Sequence, residues 1–369
     1  MTPPSVPFPA RPSRSAPDAA RAQRYDSRSD PADPERIRLA HLADLHVGSP
    51  LRGLDHYPGA PGIDAEQAPY DALEALVRRV VDGRYDGVLV AGDVFDRHHA
   101  DATALTAFQD ALGRFHDEGL VTVVVAGNHD AESPLPQKLH LPPSVHWLDA
   151  HAPQTVHWDH LGTAVHGQSI VRADDLRDLA AGFPPRIRGL VNIGLLHTSL
   201  HGAWSGRTCA PTGVRTLAAA GYDYWALGHV HHRLAPARGL RAGYSGNAHG
   251  RGPGESGGRG YTELLIGGGS VTASAVDTAP VRYEPLHLPR ATTAEADLRE
   301  RFAAVPAPAA GTAGAVVWTL SGPGGEDLVR LAREVAAELD RPDFMVCRAR
   351  VPATGGPGSP AAAPSGCAG

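Results

Sequence analysis

Five short clusters of carboxylate, imidazole and amide side chains punctuate the chain: Asp44 with His46, Asp93, Asn128 with His129, His197, and His229 with His231. Carboxylate oxygen, imidazole nitrogen and one amide oxygen are intermediate-to-hard donors. They suit Mn, Fe or Zn in five- or six-coordinate sites, whereas a structural zinc wants thiolates at short spacing. Cys209, Cys347 and Cys367 lie outside these clusters in sequence. In Asp-x-His and His-x-His two side chains fall on one side of an extended strand end, because side chains alternate, so each pair can grip a cation from one stretch of backbone. Gly92, Gly127 and Gly228 precede Asp93, Asn128 and His229 and permit tight turns and close backbone approach. Singly, each cluster has a plain explanation. Asp93 could cap a helix, His197 could be a satisfied core histidine, and 20 histidines make chance pairs common. The ordered set is what chance does not supply.

The elements that must position these residues repeat one pattern, an apolar strand, a polar cluster, then a helix. Arg36 to Ala43, Gly87 to Ala91, Leu120 to Ala126, Leu190 to Leu196 and Tyr224 to Leu227 read as strands, each ending at one of the clusters. Open α/β sheets place their ligand sites at such C-terminal ends. Helices are expected around Gln67 to Asp82 (Leu73, Leu76, Val77, Val80 and Val81 on one face) and Ala102 to Glu118 (Leu105, Phe108, Leu112, Phe115). From Val281 the texture changes to a small α+β unit, with strands at Val281 to Leu288, Gly314 to Leu320 and Phe344 to Val351. Helices at Thr293 to Ala303 and Glu326 to Leu339 lie between them. The expected organisation is a disordered, Pro-rich leader (1–35), a main domain (36–280), a small α+β domain (281–351) and a disordered tail (352–369).

Composition narrows the classes. The chain has 369 residues, 42% hydrophobic, with 42 Gly and 33 Pro, which suits a loop-rich α/β fold of two domains. The longest largely apolar run, Leu120 to Ala126, is far too short to cross a bilayer. Three scattered cysteines are expected of a reducing cytosol, not of a disulfide scaffold. The net charge of −6 offers no global attraction for nucleic acid. One segment departs from that balance: Arg233, Arg238, Arg241, Arg251 and Arg259 face a single acid, Glu255. Arginines on a Gly-rich loop beside a metal site suit a polyphosphate backbone, and they equally suit a solvated surface loop.

In the order D-x-H, G-D, G-N-H-D, H and G-H-x-H, from Asp44 to His231, the sequence resembles the calcineurin-like metallophosphoesterases. The resemblance implies an α/β sandwich of two mixed β-sheets flanked by helices, with the small C-terminal unit as a capping domain. It implies that Asp44, His46 and His231 hold one divalent cation, that Asn128, His197 and His229 hold a second, and that Asp93 bridges them. Mn²⁺ is the expected metal, with Fe²⁺, Zn²⁺ or Mg²⁺ as alternatives. Such a pair activates a water for in-line attack on phosphorus. His129 would assist the leaving oxygen as a general acid. Asp96, three residues after Asp93, would orient that histidine. Archaeal and eukaryotic repair nucleases tend to carry histidine there, so Asp96 points to a bacterial branch.

Two stretches, HLADLHVGSPLRGL (His41 to Leu54) and YSGNAHGRGPGESGGRGYTELLI (Tyr244 to Ile266), are similar to bacterial DNA-repair exonucleases of the SbcD and YhaO type. The resemblance therefore implies a cytoplasmic DNA exonuclease of 3′-to-5′ polarity. It also implies DNA as a partner, a coiled-coil ATPase of the SMC/Rad type as another, and no membrane; a homodimer is left open. Arg251, Asn247 and Tyr244 are the expected substrate contacts. Two rival readings stand beside this one: a small-molecule phosphatase or cyclic-nucleotide phosphodiesterase on the same fold, and a non-catalytic DNA- or ATPase-docking module.

Overall fold

Apolar runs without polar alternation belong to strands covered on both faces. In the computed structural model β2 (Gly87–Ala91) is such a strand, with β1 (Ile37–Leu42, carrying Arg38 and buried His41) and β3 (Val121–Val125, carrying buried Thr122) parallel on either side of it. Residues 36–52, 63–99, 101–200, 208–234, 241–267, 270–288, 294–305, 315–341 and 344–348 are described. The expected leader and tail lie outside them, as does Arg238. β4 (Val145–Trp147) extends the sheet past β3, and β10 (Gly260–Gly267) and β11 (Ser270–Asp277) add antiparallel beyond β1, giving the order β11-β10-β1-β2-β3-β4.

A second sheet runs β5 (Gln154–Trp158), β6 (Thr163–Gly167), β7 (Val191–His197), β8 (Tyr224–Gly228) and β9 (Ala242–Tyr244), parallel except at β5. Between the two sheets lie Leu39, Leu89, Ala91, Val123 and Val125 against Trp158, Val165, Ile193, Leu195 and Ala226. The opposite face of the first sheet (Ala40, Val88, Val90, Val124) is covered by α1 (Ala68–Asp82) and α2 (Ala102–Asp117) through the apolar stripes read from the sequence. Asp101 caps α2, its carboxylate accepting from Ala104 N–H at 2.8 Å. The short α3 (Asn128–Ala131) follows β3, and α4 (Val214–Ala219) covers the far face of the second sheet through Leu217.

A third, wholly parallel sheet of β12 (Val281–His287), β13 (Ala315–Ser321) and β14 (Phe344–Arg348) carries α5 (Ala294–Ala304) and α6 (Gly325–Glu338). Its core (Leu298, Phe302, Val316, Trp318, Leu320, Leu328, Val335) is separate from the sandwich core. Among the described residues no helix is long and apolar enough to cross a membrane.

The strand ends of the two sheets meet where β2 and β8 finish. A Cβ on Gly228 would lie 1.9 Å from Ala91 O, so only glycine lets the backbones come this close. Asp44 N–H donates to Gly92 O (2.9 Å) and His46 N–H to Asp93 O (3.0 Å). The Asp44 carboxylate in turn accepts from His229 N–H at 3.1 Å, tying the first sheet to the second.

Candidate metal centre

Seven non-glycine residues among the described ones have positive φ, and four of them are predicted ligands: Asp44 (49°), His46 (43°), Asp93 (52°) and His229 (101°). Left-handed backbone costs an L-residue roughly 1–2 kcal/mol, and it persists where the surroundings over-determine it, which is common at functional sites. Asp44 and His46 lie past the end of β1. A left-handed turn, not the expected pleat of an extended strand end, brings them together.

The seven predicted donors converge. His46 Nε2 lies 3.1 Å from His231 Nε2 and 3.8 Å from Asp93 Oδ2, and His231 Nε2 lies 3.8 Å from Asp44 Oδ1. On the other side His197 Nε2 lies 3.0 Å from Asn128 Oδ1 and 3.5 Å from Asp93 Oδ2, and His229 Nδ1 lies 3.2 Å from Asn128 Oδ1. Donors about 2.1 Å from one cation sit about 3.0 Å apart at right angles and about 4.2 Å apart when opposed, so these are chelating distances.

The fit to a cation is visible at His197. Its Nδ1 lies 2.9 Å from Ala91 O, which can only accept, so Nδ1 holds a proton, and in the neutral ring Nε2 turns a lone pair toward the Asn128 oxygen. Against the pull of burial, Asp93 and Asp44 raise the pKa of this imidazole, so Nε2 attracts positive charge, a proton or a cation in its place. The carboxylates want one too. Burial pushes Asp44 up to about 6, with neighbouring Asp93 adding to the rise and His231 and His197 opposing it. Asp93 is also penalised by burial, but His197, His129 and the His129 N–H (2.8 Å) outweigh it and hold the carboxyl below its ordinary range. Burial, then Arg251 and the facing histidines, keep His46 well below the usual imidazole range and therefore neutral, the form a metal ligand must have.

His129 stands beside this set with its ring edge-on to His46, centroids 4.8 Å apart. Its Nδ1 accepts from Arg97 N–H (3.4 Å), which leaves the proton on Nε2. Burial lowers its pKa despite Asp93 and Asp96, so at neutral pH it is a neutral donor. Asp96 lies 4.0 Å from His129 Nδ1, 3.9 Å from His46 Nδ1 and 3.5 Å from Arg251 Nη1, and accepts a hydrogen bond from His98 N–H (2.8 Å). Its link to His129 is thus longer than a hydrogen bond.

The expected substrate contacts fall in different places. Arg251 reaches the centre. Tyr244 is buried, its hydroxyl donating to Thr198 O (2.9 Å) and accepting from Leu200 N–H (3.1 Å). Asn247 is buried between Glu255 and Arg259, at 2.7 Å from each. Arg259 is itself buried against Ser256 O and His231 O, and Arg233 pairs with Asp277. Arg259 is thus engaged inside the protein and Arg251 at the centre, whereas the Arg233 ion pair lies at the surface and Arg241 is exposed.

Two nearby residues, Glu255 and Cys209, have no place in the site as read from the sequence, and a third, Asp130, stands there only as the last letter of G-N-H-D, without a role. Glu255, counted only as one acid among arginines, accepts from or pairs with His231, Arg251 and Asn247. Asp130 accepts from Val94, Phe95 and Gly127 N–H (3.1, 2.9 and 2.9 Å) and so joins the Asp93 and Asn128 turns; burial pushes it up to about 7. Its place after Asn128-His129 was the available signal. Cys209 brings Sγ to within 4.8 Å of a ring nitrogen of both His197 and His229.

The sequence model of the calcineurin-like phosphoesterases matches residues 37–233. Over 240 residues the chain is 26% identical to the uncharacterized metallophosphoesterase YhaO of Bacillus subtilis, covering 64% of this chain and 59% of that protein. Similarity to the DNA double-strand break repair protein Mre11 of Methanopyrus kandleri is 25% over 214 residues, 53% and 44% of the two chains. To one component of the Bacillus subtilis nuclease SbcCD it is 37% over 95 residues, 26% and 22% of the two chains. The chain spans less than two thirds of the length of each of these curated relatives.

Proposed function

The chain belongs to the calcineurin-like phosphoesterase family, and on that premise we propose that it is a two-metal phosphodiesterase acting on DNA as a 3′-to-5′ exonuclease. One observation carries the reading: the ligand atoms of seven side chains from both sheets converge at 3.0–3.8 Å. Asp44, His46 and His231 would hold one cation, Asn128, His197 and His229 a second, and Asp93 both. When bound, the ions supply Lewis-acid activation of water and neutralise charge on the phosphoryl oxygens.

The chain's own residues do the rest. His129 offers its Nε2–H to the departing oxygen. Arg251, tethered by Asp96 and Glu255, supplies a positive charge beside the reacting phosphate. The DNA reading draws on the names of the relatives, one a DNA repair protein and one a component of a nuclease. Mn²⁺ as the metal, a cytoplasmic DNA-repair role, an SMC-type ATPase partner, and residues 281–351 as a capping domain belong to the same proposal.

A second reading, hydrolysis of a small phosphodiester, is favoured by the burial of Arg259 and the pairing of Arg233 with Asp277, which leave fewer charges for a long backbone. The deciding experiment incubates Mn²⁺-loaded protein with single- and double-stranded DNA labelled separately at each end, and with an aryl phosphodiester. The exonuclease reading expects shortening from the 3′ end that Asp93→Asn abolishes. It also expects Arg251→Ala to slow DNA cleavage more than aryl ester hydrolysis. Intact DNA beside hydrolysed aryl ester would establish the second reading; no hydrolysis of either would overturn both.

A further inference from the structure

His231 has two competitors for its second ring nitrogen. Nδ1 lies 2.7 Å from Glu255 Oε1 and 3.0 Å from Arg251 Nη2. A carboxylate can only accept and a guanidinium can only donate, so the two neighbours demand opposite tautomers. With the proton on Nδ1, His231 donates to Glu255 and turns a lone pair on Nε2 toward Asp44 and His46. With Nδ1 bare, it accepts from Arg251 and points an N–H into the donor cluster, where it can hold no cation.

We propose that Glu255 is a positioning residue that selects the metal-binding tautomer of His231 by outcompeting Arg251 for Nδ1. This inference rests on the two-metal reading of the site. The Glu255 contact is the shorter of the two, and the carboxylate is fixed in place. Its Oε2 accepts from Asn247 Nδ2 (2.7 Å) and from Arg251 backbone N–H (2.8 Å), which turns Oε1 toward the histidine. Asn247 is held in turn by the buried Arg259. Arg251 Nη2 also donates to Glu255 Oε1 at 2.9 Å, so the acid restrains the rival donor as well. The buried pair Asn247 and Arg259, which in sequence looks like solvent-facing loop chemistry, thus acquires a role in holding the acid that orients a metal ligand.

The test combines nitrogen-15 imidazole spectra, which read the His231 tautomer in metal-free protein, with calorimetric Mn²⁺ titration of the same samples. Wild type should show Nδ1–H. Glu255→Ala should move the proton to Nε2 and weaken binding of one Mn²⁺ by about 10–100-fold. Removing the rival as well, in Glu255→Ala with Arg251→Ala, should restore much of that affinity, which no merely structural role for Glu255 would produce. Should Glu255→Ala fail to fold, Glu255→Gln keeps the shape without the charge and should shift the same two readouts in the same direction. An unchanged tautomer in the Glu255 variants, or a double variant as weak as the single one, would overturn the inference. Wild type that binds no Mn²⁺ yet shows the tautomer switch would instead overturn the two-metal reading alone.

Discussion

In the proposed reaction His129 would face the departing oxygen without belonging to the chelating set, so binding and chemistry should separate there. His129→Ala is expected to keep two Mn²⁺ per chain by elemental analysis while turnover falls about 10²–10⁴-fold; loss of metal in that variant would contradict the assignment. Asp130 is the opposite case, a residue of the scaffold. Its three N–H partners need two carboxylate oxygens, and Asp130→Asn replaces one acceptor with a donor. An unfolding titration should show a loss of about 2–4 kcal/mol from the buried groups left unpaired, and a loss under about 1 kcal/mol would show that the turns hold without it. At this scale the order of the blocks was enough to single out the seven donors that the fold brings within chelating distance. Glu255 and Cys209 stayed hidden because the metal-centre histidines they face lie 24 and 12 positions away in the chain, a distance at which residue type alone says nothing about contact; Asp130, visible as the last letter of G-N-H-D, shows its role only through its bonds to Val94 and Phe95.

The strands that deliver the donors are legible for a physical reason. β2 and β3 are buried on both faces, so β2 reads as an unbroken apolar run and β3 as one interrupted only by Thr122. β5 and β11 hide because β5 mixes exposed and buried positions and β11 is largely exposed at a sheet edge. β6 carries His166, buried and bonded to Asn192 Oδ1 (3.1 Å) and Thr155 Oγ1 (2.8 Å), in the middle of a strand. Histidine there looks like surface until the partners are seen. The crossing of β8 over the end of β2 is the contact on which the donor geometry depends. Gly228→Ala must push the two backbones apart, because its Cβ has no room beside Ala91 O. We expect a stability loss of roughly 1–3 kcal/mol, as for overpacking, together with weakened Mn²⁺ binding by calorimetry. Wild-type affinity in that variant would show that the close approach is not what sets the site.

Across the whole molecule, buried histidines make stability sensitive to acid. Burial drives His41 down to about 3 and His249 to about 4, against 6.5 when exposed. Because the folded values lie below the unfolded one, the stability these groups confer is complete above about 6.5 and is lost as pH falls toward the folded values. Asp44 and Asp130, raised to about 6 and about 7, act in the opposite sense, their contribution fading as pH rises through those values. The clean observable is therefore a difference. Between about pH 7 and pH 5 the metal-free wild type should lose about 2 kcal/mol more stability than His249→Gln, and parallel pH profiles would contradict this. Burial also explains why the local excess of arginine in the sequence overstates the charge the loop presents: Arg259 lies within the structure.

At the heart of the site one buried aspartate would join two cations, each held by side chains from both sheets. Electron paramagnetic resonance of the Mn²⁺-titrated protein addresses this arrangement most directly. Two ions per chain with a spin-coupled spectrum that collapses to a single uncoupled ion or none in Asp93→Asn is the predicted result. A wild-type spectrum of isolated Mn²⁺ at every loading, or coupling that survives Asp93→Asn, would contradict it.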